Sequence, residues 1–247
     1  MQYDFETKQQ YRIKVHNAID QYCTATRWIR RIAYLESGQA LETKFLIARG
    51  HRPENLIPIN RSPQIAAWIN RRVPDVTCLV GEIHRVLRTH QPRPHAINFD
   101  GTGWLNKRTM CVIVPMLTLY APVVAVTILA GREKGQINDI RNKTASMVGD
   151  CYRTSDGVEV SNEDYARMLG VRECLTHIYC PTSHDGTVTL DPRSINDIDK
   201  LKWGIYISES HQKMIWVVAR VNRVVPIEVI HQQFQIDADV LRETGRI

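Results

Sequence analysis

In the stretch His95-Ala96-Ile97-Asn98-Phe99-Asp100-Gly101-Thr102-Gly103, an apolar run ends in a carboxylate and two glycines follow at once. A buried strand that delivers an acid to the open edge of a parallel sheet has this form. The glycines predict a sharp backbone turn after Asp100 and close approach of a ligand to the main chain. Ligands of open α/β sheets collect beyond the carboxyl ends of the strands. The segment therefore predicts one wall of a site.

Outward from it, strands and helices alternate at short intervals. Residues 30–35, 55–60, 76–80, 96–99 and 123–129 read as strands. Residues 4–29, 40–49, 62–72 and 82–88 carry helical periodicity, with Ser62 as a cap and Pro63 in the first turn of the third. Pro58 predicts an edge or a bulge in the second strand. This alternation predicts an α/β class, a Rossmann-like doubly wound and mostly parallel sheet with helices on both faces. Further on, 137–148 and 162–169 read as helices, and 202–208 and 214–221 as a C-terminal antiparallel hairpin. Turn residues dominate 151–157 and 180–199, which predicts an inserted loop. The whole chain, 1–247, reads as a single domain: an N-terminal helix (1–29), an inserted region (150–200) and a helical tail (226–247).

Composition bounds the function. The chain is 43% hydrophobic and 23% charged, ordinary for a globular domain with a large core. A formal net charge of +6 favours a polyanionic partner, DNA or RNA first, through arginines near helix ends: Arg27, Arg30, Arg31, Arg71, Arg72, Arg85, Arg88 and Arg93. Trp28, Trp68 and Trp104 either stack bases or belong to the core or the amphipathic rim. No apolar run reaches the roughly 18 residues needed to span a bilayer, and scattered cysteines without a secretory signal predict a cytoplasmic protein. Cys78 and Cys111 sit in apolar runs and are expected to pack inside.

Each predicted parallel strand ends in a polar residue or a glycine: Glu36 and Gly38, then Asn60, then Gly81 and Glu82, then Asp100 and Gly101. By the crevice rule these ends converge on one ligand. Here the chain resembles the class I S-adenosylmethionine-dependent methyltransferase fold, over about residues 30–129, with the 202–221 hairpin similar to the antiparallel strands that close that family's sheet. The resemblance implies S-adenosylmethionine as cofactor, with Leu35-Glu36-Ser37-Gly38 as the cofactor loop. It also implies Asn60 with Arg61 at the ribose, Gly81-Glu82-Ile83 at the adenine, and Asn98-Phe99-Asp100-Gly101 beside the transferred methyl group. Asp100 is the candidate catalytic residue, as acceptor of a proton or hydrogen bond from the nucleophile. The glycine loop is thin, Asn60 stands where the family has an acid, and the Pro-aromatic clamp of amino-methylating nucleic-acid enzymes is missing.

Two functions follow: a methyltransferase-like protein acting on nucleic acid, of the kind carried by phages or mobile elements, or a catalytically degenerate fold that serves as a nucleic-acid or protein-binding scaffold. Cys174-x-x-His177-x-x-Cys180-x-x-x-His184 carries zinc-type ligands at short spacing, but a helix end with ordinary thiols and imidazoles explains it as well, and no metal is assigned.

Overall fold

The computed structural model describes residues 5–104, 113–130, 152–181, 190–194, 196–208 and 211–223. In chain order the strands are β1 (Ile32–Leu35), β2 (Leu56–Asn60), β3 (Leu79–Val80), β4 (Ala96–Trp104), β5 (Val123–Leu129), β6 (Tyr152–Arg153), β7 (Glu159–Val160), β8 (His177–Pro181), β9 (Leu190–Ser194), β10 (Asn196–Ile207) and β11 (Lys213–Arg223). The helices are α1 (Phe5–Tyr22), α2 (Leu41–Ala48), α3 (Pro63–Arg72), α4 (Ile83–Thr89), α5 (Val114–Thr118) and α6 (Asn162–Thr176). Seven strands form one sheet in the order β10-β11-β5-β4-β1-β2-β3; β6–β7 and β8–β9 are separate hairpins. β1 to β5 are parallel, and β11 runs against both β5 and β10. The fold is thus the doubly wound, mostly parallel sheet with a C-terminal antiparallel pair that the sequence predicts.

Alternation along the strands builds two cores. In β5, Val123 and Ala125 face a layer made by α1, α2 and α3, with Val15, Ile19, Leu46 and Ile69 at its centre. Val124 and Val126 face the other layer, where α4, α5 and α6 contribute Leu87, Leu117 and Leu175. Burial on both faces explains why this strand is apolar throughout rather than alternating.

Several details differ from the sequence reading. β4 does not turn at Asp100; it continues to Trp104. Asp100 pairs with Thr127 and Trp104 with Leu129, so four residues of β4 advance against two of β5 and the excess bulges at 101–103. The glycines accommodate a bulge, not a turn. β3 is shorter than predicted because the Cys78 N–H donates to Asn70 Oδ1 at 2.7 Å instead of to a neighbouring strand. β2 sits inside the sheet, yet β3 pairs with it only at Ile59 and Asn60, so Pro58 has an open side as its ring requires. α1 stops at Tyr22, short of residue 29. α6 runs on to Thr176 because Val171, Cys174 and Leu175 continue its buried face. Within 180–199 the described residues pair as β8–β9 and the start of β10, where a loop is predicted. The predicted 137–148 helix, the 226–247 tail and Cys111 lie outside the described residues. Among the described residues no helix is long and apolar enough to cross a membrane.

Gly204 faces Trp216 across the β10–β11 register, and a Cβ there would lie 2.7 Å from the indole Cζ2. Gly204→Ala is expected to cost about 1–3 kcal/mol by overpacking, read as a lower urea midpoint at constant slope. An unchanged midpoint would show that the indole is free to move aside.

Candidate functional site

The chain turns back between β3 and β4, so β1 and β4 lie side by side at the switch point of the sheet. The carboxyl ends of β1 to β4 come together there, and hydrogen bonds lace them. Asn60 Nδ2 donates to the Glu36 carbonyl at 2.7 Å, and the Gly81 N–H donates to the Asn60 carbonyl at 2.9 Å. Asn60 Oδ1 accepts from the Ser62 N–H at 2.8 Å, just before α3. Gly81 has φ +143°, a backbone that favours glycine, and Glu82 follows it, half-buried.

Glu36 is 4% exposed and braces its own loop. Its carboxylate accepts from the Ser37 N–H at 2.7 Å, the Thr43 N–H at 2.7 Å and the Thr43 hydroxyl at 2.6 Å. Burial outweighs these donors and raises the carboxyl above its ordinary 4.5. Gly38 lies close to α3: a Cβ there would lie 3.0 Å from Trp68 Cζ3, and the partly exposed indole would have to give way. Two residues on, Ala40 adopts φ 53° and ψ 37° at the start of α2 with no exposed surface. A left-handed non-glycine residue of this kind marks a loop whose geometry is imposed by its surroundings.

β4 divides the predicted motif between its faces. Phe99 packs into the α4–α5–α6 core with its ring over Gly101. Asn98 and Asp100 face the other way, toward α1 and α2. Asn98 Nδ2 donates to Glu42 Oε1 at 2.9 Å, while Asn98 Oδ1 is buried with no partner. Asp100 Oδ2 lies 3.2 Å from Lys8 Nζ. Leu35 is partly buried, Ile83 is core and Arg61 is exposed.

The hub of this region is Glu42, which the sequence reading missed. Arg12 Nε donates to its Oε2 at 2.8 Å and His16 Nε2 to its Oε1 at 2.5 Å. Burial opposes ionisation of Glu42, but His16 and Arg12 outweigh it and hold the carboxyl at about 2. Beside it Tyr11 hydrogen-bonds Thr127, the residue paired with Asp100, and stacks on Tyr206 with ring centroids 4.4 Å apart. Burial first, then Asp100, raises the Tyr11 hydroxyl well above 10. Lys8, Arg12 and His16 recur every four residues along α1, so a polar stripe beside its apolar face was the available signal.

Of the other candidates, Cys78 is buried and burial pushes its thiol up to about 11, which suits packing and not nucleophilic attack. Cys174 is fully buried, and His177 Nδ1 lies 3.2 Å from Glu173. His184 lies outside the described residues, and among those described no three metal-type ligands gather. Arg30 is buried against Asp20 and is not available to a phosphate. Trp28 is 62% exposed under the Arg52 guanidinium, 4.6 Å from its centroid; Trp68 is 40% exposed under that of Arg72, at 3.8 Å.

No family model matches the chain, and no curated protein matches it. Solved structures do. A putative RNA methyltransferase from Pyrococcus horikoshii is 8% identical, with a TM-score of 0.46 over 91% of this chain and 86% of that one. An O-methyltransferase from Bacillus cereus is 11% identical, with a TM-score of 0.45 over 89% and 84%. A magnesium protoporphyrin IX methyltransferase from Synechocystis is 8% identical, with a TM-score of 0.48 over 89% and 86%.

Proposed function

We propose that the carboxyl ends of β1 to β4 bind S-adenosylmethionine and that the chain is a methyltransferase-like protein acting on nucleic acid. The observation that carries this reading is the orphaned Asn98 Oδ1: a buried acceptor at the switch point, on the same face of β4 as Asp100. Buried acceptors are rarely left unmet, and an ammonium donor of an amino-acid group would satisfy this one. The carboxylate of Asp100, partly exposed on the same face of β4, suits a cationic ligand, so the residues fit the group. When bound, S-adenosylmethionine supplies an electrophilic methyl group on a sulfonium. The chain's own part is alignment and proton handling: Gly81 and Glu82 border the ligand, while Asp100, oriented by Lys8, accepts the proton of an amine or hydroxyl nucleophile.

The net charge of +6 and the two cation-capped tryptophans support nucleic acid as the other partner. Bases stack on such platforms with little sequence preference. A Cβ added to Gly38 would meet the Trp68 ring, which puts one platform beside the β1 loop.

The test is calorimetric titration with S-adenosylhomocysteine, followed by methyl transfer to single-stranded oligonucleotides. Asp100→Asn is expected to leave ligand affinity within about threefold, as for one neutral hydrogen bond, and to lower transfer by about 10²–10⁴-fold. No heat at millimolar ligand sinks the cofactor reading. The scaffold reading rests on the saturation of Glu36 and Asn60 by the protein's own hydrogen bonds. It predicts salt-sensitive oligonucleotide binding with no such heat.

A further inference from the structure

A cavity of about 490 Å³ opens at the opposite end of the parallel strands, where the chain enters β4 and β5. That volume is within the roughly 300–1,000 Å³ of small-molecule sites. Two of its lining residues each carry a buried polar atom with no partner. Tyr120 is 2% exposed and its hydroxyl has no partner. Asn196 is 1% exposed; its Nδ2 donates to Thr118 Oγ1 at 2.8 Å and to the Leu175 carbonyl at 2.9 Å, while its Oδ1 has no partner. Thr118 cannot supply the missing proton, because its hydroxyl already donates to the Pro115 carbonyl at 2.7 Å.

Two guanidiniums complete the walls. Arg93 lies over the Tyr120 ring, 4.9 Å from its centroid, and Arg223 Nη2 donates to the Leu119 carbonyl at 2.6 Å. No acid is among the described lining residues. The positive field reaches Tyr120 itself: burial raises its hydroxyl above 10 while Arg93 and Arg88 pull it back.

We propose that this cavity is a second binding site, for a small hydroxylated phosphate ester. The phosphate sits against Arg93, whose planar fork suits a multidentate oxyanion. The ligand's hydroxyls donate to Asn196 Oδ1 and bond the Tyr120 hydroxyl. Neither a bare anion nor an uncharged sugar meets both demands. The site lies away from the strand ends that form the cofactor crevice, so it stands independently of the function proposed above.

Calorimetry on the full chain with three probes separates these demands. Ribose 5-phosphate offers charge and donors, sulfate only charge, ribose only donors. Ribose 5-phosphate is expected to bind about tenfold tighter than sulfate, as one or two net hydrogen bonds provide, and ribose is expected not to bind. Arg93→Ala is expected to weaken ribose 5-phosphate about tenfold or more, as loss of a charge-assisted contact does. Tyr120→Phe, which removes one oxygen and keeps the fold, is expected to weaken it about threefold. S-adenosylhomocysteine binding is expected to be the same in both variants and the parent. Equal affinity for sulfate and ribose 5-phosphate, or full affinity in Tyr120→Phe, overturns the proposal.

Discussion

Glu42→Ala is expected to destabilise the fold by about 3–5 kcal/mol, the cost of breaking a buried ion pair by removing one partner. Arg12 is 5% exposed and His16 1% exposed, and both direct an N–H at this one carboxylate. Without it, two donors and the Asn98 amide lose their acceptor inside the protein, where water cannot replace it. Glu42→Gln is expected to fall between the parent and Glu42→Ala, since its amide keeps one oxygen for Arg12. The same carboxylate sets an acid limit. Its pKa is depressed from 4.5 to about 2 in the folded chain, so its stabilisation is fully present above about pH 4.5 and is lost as the pH falls toward 2. The linked loss is about 3 kcal/mol over that window. Urea denaturation at pH 7 and at pH 3 reads both effects. A midpoint unchanged by Glu42→Ala would mean that Arg12 and His16 find water on their own.

The hub was invisible because a glutamate early in a helix is expected to be solvated, and nothing in Ala40-Leu41-Glu42 says that α1 will cover it. The sheet, in contrast, could be read strand by strand. The Val123–Leu129 run and the capped α3 announce themselves through local chemistry, apolar burial on two faces and a serine oxygen accepting from Ile65 N–H. The strand ends could also be read, but only as positions. Whether Asn60 and Glu36 face a ligand or each other depends on hydrogen bonds between strands brought together by the crossover. Asn98 and Phe99 are neighbours in sequence but lie on opposite faces of β4, which follows from strand geometry once the strand is known to continue. The bulge at 101–103 escaped notice because glycines permit a turn and a bulge equally. Ala40 gives no warning at all; its left-handed backbone is imposed by the loop around it.

Asp20→Ala is expected to be as costly, about 3–5 kcal/mol, because it leaves the nearly buried Arg30 without its counter-charge. Asp20, near the end of α1, gathers three arginines: Arg27 through Nε at 2.9 Å, Arg49 through Nη2 at 2.8 Å, and Arg30. Arg30 also clasps the Ala25 carbonyl, at 3.0 Å through Nε and 2.6 Å through Nη2. The carboxylate therefore ties residues 23–29 to both α1 and the end of α2. Burial opposes its ionisation, but the arginines prevail and lower its pKa from 3.8 to about 2. Its contribution is present above about pH 4 and disappears as the pH falls toward 2, so the variant is expected to show a shallower acid loss than the parent.

The same substitution separates shape from charge in the proposed nucleic-acid binding. Removing one carboxylate raises the net charge, which by electrostatics alone strengthens attraction to a polyanion. Yet Asp20 also anchors the turn that displays Trp28, whose carbonyl accepts from Asn55 Nδ2 at 2.8 Å and whose ring lies under Arg52. If bases stack on that indole, each contact is worth about 1–3 kcal/mol, far more than one added charge at moderate salt. Asp20→Ala is therefore expected to weaken single-stranded oligonucleotide binding severalfold under conditions where the variant is still folded, measured by fluorescence anisotropy. A gain in affinity instead would mean that net charge alone governs binding and that the Trp28 platform takes no part in it.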